Sequence, residues 1–445
     1  MIRSVLVANR GEIARRVFRA CRQLGLKTVA VFSEADRDSP HVREADHAVA
    51  IGPPPARESY LNIDRILEAA RTSRADAIHP GYGFLSENWR FAEACRRAGL
   101  IFVGPSPDAI RQMGDKTEAR RLMAAAGIAV VPGSHETVAD AGEAERVARE
   151  IGYPVILKAV AGGGGIGMTR VDKPQDLSTA FATATRRAQA AFGRRDVYIE
   201  RYLDRPRHVE IQVFGDGKGT TVHLHERECS IQRRHQKLVE EAPAPNLAPA
   251  VKDGLAGAAV AGARAVGYVN AGTLEFLVDA AGDFYFLEMN TRLQVEHPVT
   301  EEVVHRDLVV AQFRIAAGEP LGFEQADVRP LGAAIECRVY AEDPDRNFLP
   351  SPGTITSITL PEGAGIRHEV GVEAGSVVSV HYDPLVAKLV VSGADRAETI
   401  ERLVAALGDY RVEGVRTTLP LFRRIVASEA FRAGRVTTRF LERGL

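Results

Sequence analysis

The stretch FYFLEMNTRLQVEHP, residues 284–298, decides how this chain is read. Alternate side chains of an extended chain share a face. Glu288, Asn290, Arg292, Gln294 and Glu296 therefore line one side, and Leu287, Met289, Leu293 and Val295 the other. The second set packs into a core. The first is an ordered series of carboxylate, amide, guanidinium, amide and carboxylate, whereas a merely solvated edge strand favours lysine and threonine. TLEFLV at residues 273–278 supplies the other arm of a hairpin whose turn contains Gly282, so that Glu275 faces Glu288. Two convergent carboxylates and an amide, completed by phosphate oxygens, form the hard oxygen shell that Mg²⁺ prefers.

Outward from this hairpin, ERECSIQRRHQK at residues 226–237 carries four basic residues against two acids, a local charge of +2 with histidine neutral. It places an anion pocket beside the metal pocket. Upstream, PVILKA at 154–159 predicts a strand, AGGGGIGM at 161–168 a loop, and residues 169–171 a second extended run. The glycines leave backbone N–H groups free to turn on an anion. The G-K-[ST] ending of a P-loop is missing, so a hairpin flap over nucleotide phosphates is expected, with Lys158 just before it. Asp115 predicts the N-cap of a helix over residues 116–126.

At the start of the chain, residues 5–8 predict a buried strand, 12–24 a helix stopped by Gly25, and 28–32 a second strand, which is a βαβ unit. A nicotinamide dinucleotide site is excluded on the residues. That fingerprint needs G-x-G-x-x-G, and NRGEIA at 9–14 offers one glycine. The loop HPGYGFLSEN at 79–88, a helix around 91–98 and a strand at 101–103 continue an open α/β sheet.

Composition bounds these readings. A chain of 445 residues corresponds to about three domains. A net charge of −1 gives no general attraction to nucleic acid or anionic membrane, and no apolar run approaches the ~18 residues of a membrane span. Cys21, Cys95, Cys229 and Cys337 are too scattered for a metal-ligand pair or disulfide framework and are expected to be core residues. A cytoplasmic location is expected.

Taken in order, ANRGEIA, HPGYGFLSEN, MGDK ending at Lys116, the glycine loop, RHVEIQ from Arg207, QRRHQK from Gln232, EEAPAP from Glu240, EMNTRLQVEHPVTE from Glu288, ECRVYAEDP from Glu336, FLPSPG from Phe348 and YDPLVAKL from Tyr382 resemble biotin carboxylase, an ATP-grasp enzyme, over essentially the whole chain. The resemblance implies an α/β and α+β protein in three parts. These are a Rossmann-like, pre-ATP-grasp domain over 1–114, an ATP-grasp domain over 115–330 with a mobile glycine-rich lid at about 131–203, and a C-terminal mixed α/β domain over 331–445. It implies ATP-dependent carboxylation of carrier-bound biotin with bicarbonate through carboxyphosphate, as in the first half-reaction of acetyl-CoA carboxylase.

By matched position, the resemblance assigns ATP to Lys116, Lys158, Gly164, Gly165, Glu200, Arg201, Tyr202, Leu203, His208, Gln232 and His235. It assigns two Mg²⁺ or Mn²⁺ ions to Glu275, Glu288 and Asn290. Bicarbonate falls to Lys237, Arg292, Gln294, the Val295 backbone and Glu296, with Glu296 as general base, and Arg338 meets both bicarbonate and biotin. Ile166 departs from the usual arginine or lysine in the glycine loop, which is expected to weaken nucleotide holding or alter flap closure. Val304-His305-Arg306 departs from the usual Thr-Gly-hydrophobic step. No lysine is flanked by methionines, so biotin is expected on a carrier protein or domain, with carboxyltransferase subunits elsewhere and a homodimeric assembly. The alternatives are another ATP-grasp ligase and a non-catalytic, ATP-binding subunit.

Overall fold

The computed structural model describes residues 2–134, 136–160 and 168–443. The glycine loop at 161–167, with Gly164, Gly165 and Ile166, lies outside the described residues.

The first hundred residues form a five-stranded parallel sheet in the order His47–Gly52, Lys27–Ser33, Ser4–Val7, Ala77–His79, Ile101–Phe102. Val5, Leu6, Val7, Val29, Ala30 and Val31 are fully buried, as expected of strands covered on both faces. Helix Gly11–Gln23 follows the first strand and hands the chain to Gly25 at φ +69°, a conformation that suits glycine. Asn88 caps Trp89–Arg97 by accepting from the Arg90 and Phe91 backbone N–H groups. Asp115 does the same for Lys116–Ala125, accepting from Thr117 and Glu118.

A small antiparallel sheet, Met168–Val171, Val155–Ala159 and Val197–Arg201, is covered by helices Ala141–Ile151 and Leu177–Phe192. Val147, Leu157, Leu177 and Ile199 form its own core. The two strands on either side of the glycine loop pair antiparallel, Lys158 opposite Met168, as a hairpin requires.

The remainder is built on one eight-stranded antiparallel sheet, ordered Phe284–Asn290, Asn270–Val278, Arg207–Gly215, Thr221–Arg233, Gln236–Ala242, Ala333–Tyr340, Leu385–Gly393, Ile366–Val370. The pairing of Gln236–Ala242 with Ala333–Tyr340 carries this sheet across residue 330. Among the described residues no helix is long and apolar enough to cross a membrane. All four cysteines are buried and free.

The decisive hairpin forms in the expected register, with Glu275 opposite Glu288 and Gly282 at the turn at φ +91°. The strand stops at Asn290, however, and residues 291–296 run irregularly into helix His297–Val304. Strict alternation therefore fails beyond Asn290. Val295, expected on the core face with Leu293, lines the large cavity. Leu287, also expected in the core, lines a second, smaller cavity. The helix after the motif ends on His305 at φ +52°, a left-handed position usually filled by glycine or asparagine, and Arg306 lies 4.2 Å above the Phe323 ring.

Candidate active site

Two adjoining cavities open where the parallel sheet, the small sheet and the large sheet meet. The smaller, about 210 Å³, is lined by Lys116, Lys158, Glu200, Arg201, Tyr202 and Leu203, with Gln232 and His235 on another wall. The larger, about 640 Å³, is lined by Lys237, Asn290, Arg292, Gln294, Val295 and Arg338. His208, His235, Glu275 and Glu288 face both. Every described residue singled out for ATP or metal in the sequence thus borders one of the two.

In the smaller cavity Lys158 pairs with Glu200, and Arg120 binds the same carboxylate from the other side while donating to the Val131 carbonyl at 2.8 Å. Glu200 is 3 % exposed, so its charge is spent on holding two cations in place. Lys116 lies 3.7 Å from Glu288, which is the more open of the two hairpin carboxylates. His208 Nε2 sits 2.8 Å from Glu275 Oε2, with Nδ1 3.0 Å from the Gln232 amide nitrogen. Burial pulls the His208 pKa down, but Glu275 outweighs it and holds the ring above its ordinary value. His235, more open to solvent, is pushed the other way by partial desolvation and then by the nearby Lys158 and His208.

At the floor of the larger cavity one ammonium group serves three carboxylates. Lys237 Nζ is 2.5 Å from Glu210, 2.7 Å from Glu275 and 2.7 Å from Glu296. Burial disfavours its charge, yet the three acids hold its pKa well above the usual lysine value. Glu296 takes Lys237 on one oxygen and Arg338 Nη2, at 2.8 Å, on the other. Burial pushes it up, but Lys237, Arg338 and Arg227 hold it well below the usual carboxylate range. It has no exposed surface, because these cations cover it. Arg292 is fixed at three points: Nε to Glu87 at 2.8 Å, Nη1 to Gln294 at 2.9 Å and Nη2 to Asn290 Oδ1 at 2.9 Å. Asn290 Nδ2 donates to Glu275 at 2.8 Å.

The basic stretch at 226–237 is less unified than its charge implies. Arg227 is fully buried, paired at 2.5 Å with Glu210 and bonded to Gln212, Thr273 and Thr300, so it braces the sheet and faces no ligand. Arg233 pairs with Glu342, and Arg234 reaches Asn347. Lys237 and Arg227 both meet the carboxylate cluster, Arg227 from within the sheet and Lys237 from the cavity, while Arg233 and Arg234 line the larger cavity without joining that cluster.

Sequence reasoning passed over Glu210, Glu240 and Lys388. Lys388 Nζ donates to the Val295 carbonyl at 2.8 Å and lies 3.2 Å from Glu12, holding the Gln294–Val295 turn from behind. A signal was present: a lone lysine inside PLVAKLVV, residues 384–391, on a buried strand must have a partner.

Comparison with known proteins shows the family. Residues 1–110 match the family description "Biotin carboxylase, N-terminal domain", 115–324 match "Carbamoyl-phosphate synthase L chain, ATP binding domain", and 336–443 match "Biotin carboxylase C-terminal domain". "Biotin carboxylase 2" of Bacillus subtilis is 55% identical over 445 residues, covering 100% of both chains. The chain belongs to the biotin carboxylase family. Another member of the biotin carboxylase family, "Biotin carboxylase" of Halalkalibacterium halodurans, is 53% identical over 99% of this chain and 97% of its own. The biotin carboxylase domain dimer of 2-oxoglutarate carboxylase from Hydrogenobacter thermophilus, solved with MgADP, ADP and bicarbonate, superposes with a TM-score of 0.96. It is 47% identical and covered over 100% of this chain and 98% of its own.

Proposed function

We propose that this chain carboxylates carrier-bound biotin, using ATP and bicarbonate by way of carboxyphosphate, and releases carboxybiotin, ADP and phosphate. The observation that carries this reading is the junction of the two cavities. There Lys237, Arg292 and Arg338 surround the Gln294–Val295 turn beside a narrower cavity furnished with Lys116 and Lys158. Three fixed cations for a small anion, set against two lysines for phosphates, suit the joining of bicarbonate to a phosphoryl group.

The residues for metal fit in part. Glu275 and Glu288 are opposed carboxylates, the donor type that Mg²⁺ or Mn²⁺ takes, and would hold the ions. Asn290, assigned with them from the sequence, has its oxygen engaged by Arg292. Bound there, the ions would offset charge on the phosphoryl oxygens.

The chain's own groups do the rest. Lys116 and Lys158 hold phosphates, and Arg292 and Gln294 orient bicarbonate at the turn. Glu296, ionised at neutral pH, is the base for the bicarbonate proton, which requires the arriving anion to draw Lys237 or Arg338 off one of its oxygens. Carboxyphosphate breaks down to CO₂ and phosphate, the phosphate takes the biotin N–H proton, and Arg338, always cationic, stabilises the resulting enolate as it attacks CO₂. Gly164 and Gly165 belong to the proposed flap that excludes water from carboxyphosphate.

The proposal extends to a biotin carboxyl carrier protein or domain and carboxyltransferase subunits as partners, to a homodimer and to the cytoplasm. The relative from Hydrogenobacter supports the dimer. Acetyl-CoA is proposed as the eventual acceptor, and addition of acetyl-CoA carboxyltransferase to the carboxylated carrier tests it. Malonyl-CoA formation is expected; transfer only to another acceptor would contradict it. The core reaction is tested by phosphate release from ATP with bicarbonate, with and without free biotin.

A further inference from the structure

A second layer of charge lies behind the cavity wall. Glu240, on Gln236–Ala242, and Glu336, on Ala333–Tyr340, are directly opposed in the antiparallel pairing. Both have no exposed surface. Side chains so paired start about 5 Å apart at Cβ, within reach of each other. Among the described residues no protein donor makes a hydrogen bond to any of their four oxygens. Arg338, two residues beyond Glu336 and so on the same face, brings Nε to 2.6 Å from Glu240 Oε1, a close ion pair without hydrogen-bond alignment.

Two buried carboxylates this close cannot both ionise cheaply against one cation. Two neutral acids would leave Arg338 with only Glu296. We propose that Glu240 and Glu336 share a single proton, and that the one negative charge they hold between them fixes the Arg338 guanidinium from behind. Glu240 is then a positioning residue for the biotin step, an extension that rests on the reading of Arg338 given above. The charged groups facing the pair agree with this balance: Arg338, Lys237 and Lys388 as cations, and Glu210 and Glu296 as acids. His297, on the helix packed across the same strands, is held neutral by burial. Burial is the leading cause in both acids, pushing Glu240 up to about 7 and Glu336 well above the carboxylate range.

The test is infrared difference spectroscopy of the full chain at neutral pH, recording the carbonyl stretch of protonated carboxylic acid. A band is expected that disappears in both Glu240→Gln and Glu336→Gln; spectra identical to the native protein in that region would overturn the shared proton. In parallel, Glu240→Gln is expected to lower biotin carboxylation on the order of 100-fold, as a small misplacement of a catalytic group does, and bicarbonate-dependent ATP hydrolysis without biotin by much less. Equal loss in both reactions, or no loss, would overturn the positioning role. Glu336→Gln, whose amide can donate where the proton did, is expected to lose less than Glu336→Ala, and the reverse order counts against the pair. Arg338→Gln serves as the reference. If it leaves biotin carboxylation intact, the reading of Arg338 fails and the positioning role with it, while the infrared band still decides the proton.

Discussion

Replacing Glu296 with glutamine removes the proposed base while sparing the fold, and the structure sets the size of the effect. Glutamine fills the same volume and keeps an acceptor. Lys237 retains Glu210 and Glu275, and Arg338 retains Glu240, so no buried cation loses its last counter-charge. A positioned general base contributes about 10²–10⁴-fold, or about 3–5 kcal/mol of barrier. Turnover is expected to fall by that factor in both biotin carboxylation and bicarbonate-dependent ATP hydrolysis. The Michaelis constant for bicarbonate is expected not to rise, because removing a carboxylate leaves Lys237 and Arg338 more available to an anion. Because these cations hold Glu296 well below the usual carboxylate range, the native enzyme is expected to show no acid limb near neutral pH from this group. The assay is steady-state phosphate release and carboxybiotin formation against bicarbonate. Turnover within a few-fold of native, or a loss expressed wholly in the Michaelis constant, would refute the assignment.

Lys237→Met leaves Glu210, Glu275 and Glu296 without their shared cation and is expected to cost about 3–5 kcal/mol, as removal of one partner from a buried pair does; an unchanged thermal midpoint would contradict the cluster. A Cβ at Gly133 would sit 2.3 Å from the Ile199 carbonyl and 3.0 Å from Glu200 Cα. Gly133→Ala is therefore expected to shift the strand that carries Glu200 and raise the Michaelis constant for ATP, checked by steady-state kinetics. Burial, stronger than the pull of Lys388, raises Glu12 to about 7. The folded chain then holds a proton there that the unfolded chain has lost, so this group makes stability fall as pH rises from about 4.5 to about 7. Glu12→Gln is expected to gain stability relative to native more at pH 8 than at pH 5; denaturation at the two values decides it.

Much of this was legible in the chain. The hairpin of Glu275 and Glu288, the cap Asp115 and the strand-loop-strand around the glycines rest on local rules of alternation, capping and turn chemistry. What escaped the sequence rests on distant contacts. Alternation cannot say that the strand ends at Asn290, where Glu87, from the loop before helix Trp89–Arg97, accepts from the Thr291 backbone N–H and from Arg292. Charge counting placed Arg227 in an anion pocket, and only the neighbouring strands show that Glu210 and Thr300 enclose it. Glu240 and Glu336 read as ordinary polar positions until strand pairing sets them face to face.

The most direct measurement is transfer of labelled carbon from bicarbonate to free biotin by the purified chain with ATP and Mg²⁺. ATP-dependent formation of labelled carboxybiotin is expected, with phosphate released in step and lost when bicarbonate is withheld. Hydrolysis of ATP that ignores both bicarbonate and biotin, or tight ATP binding with no phosphate released, would contradict it.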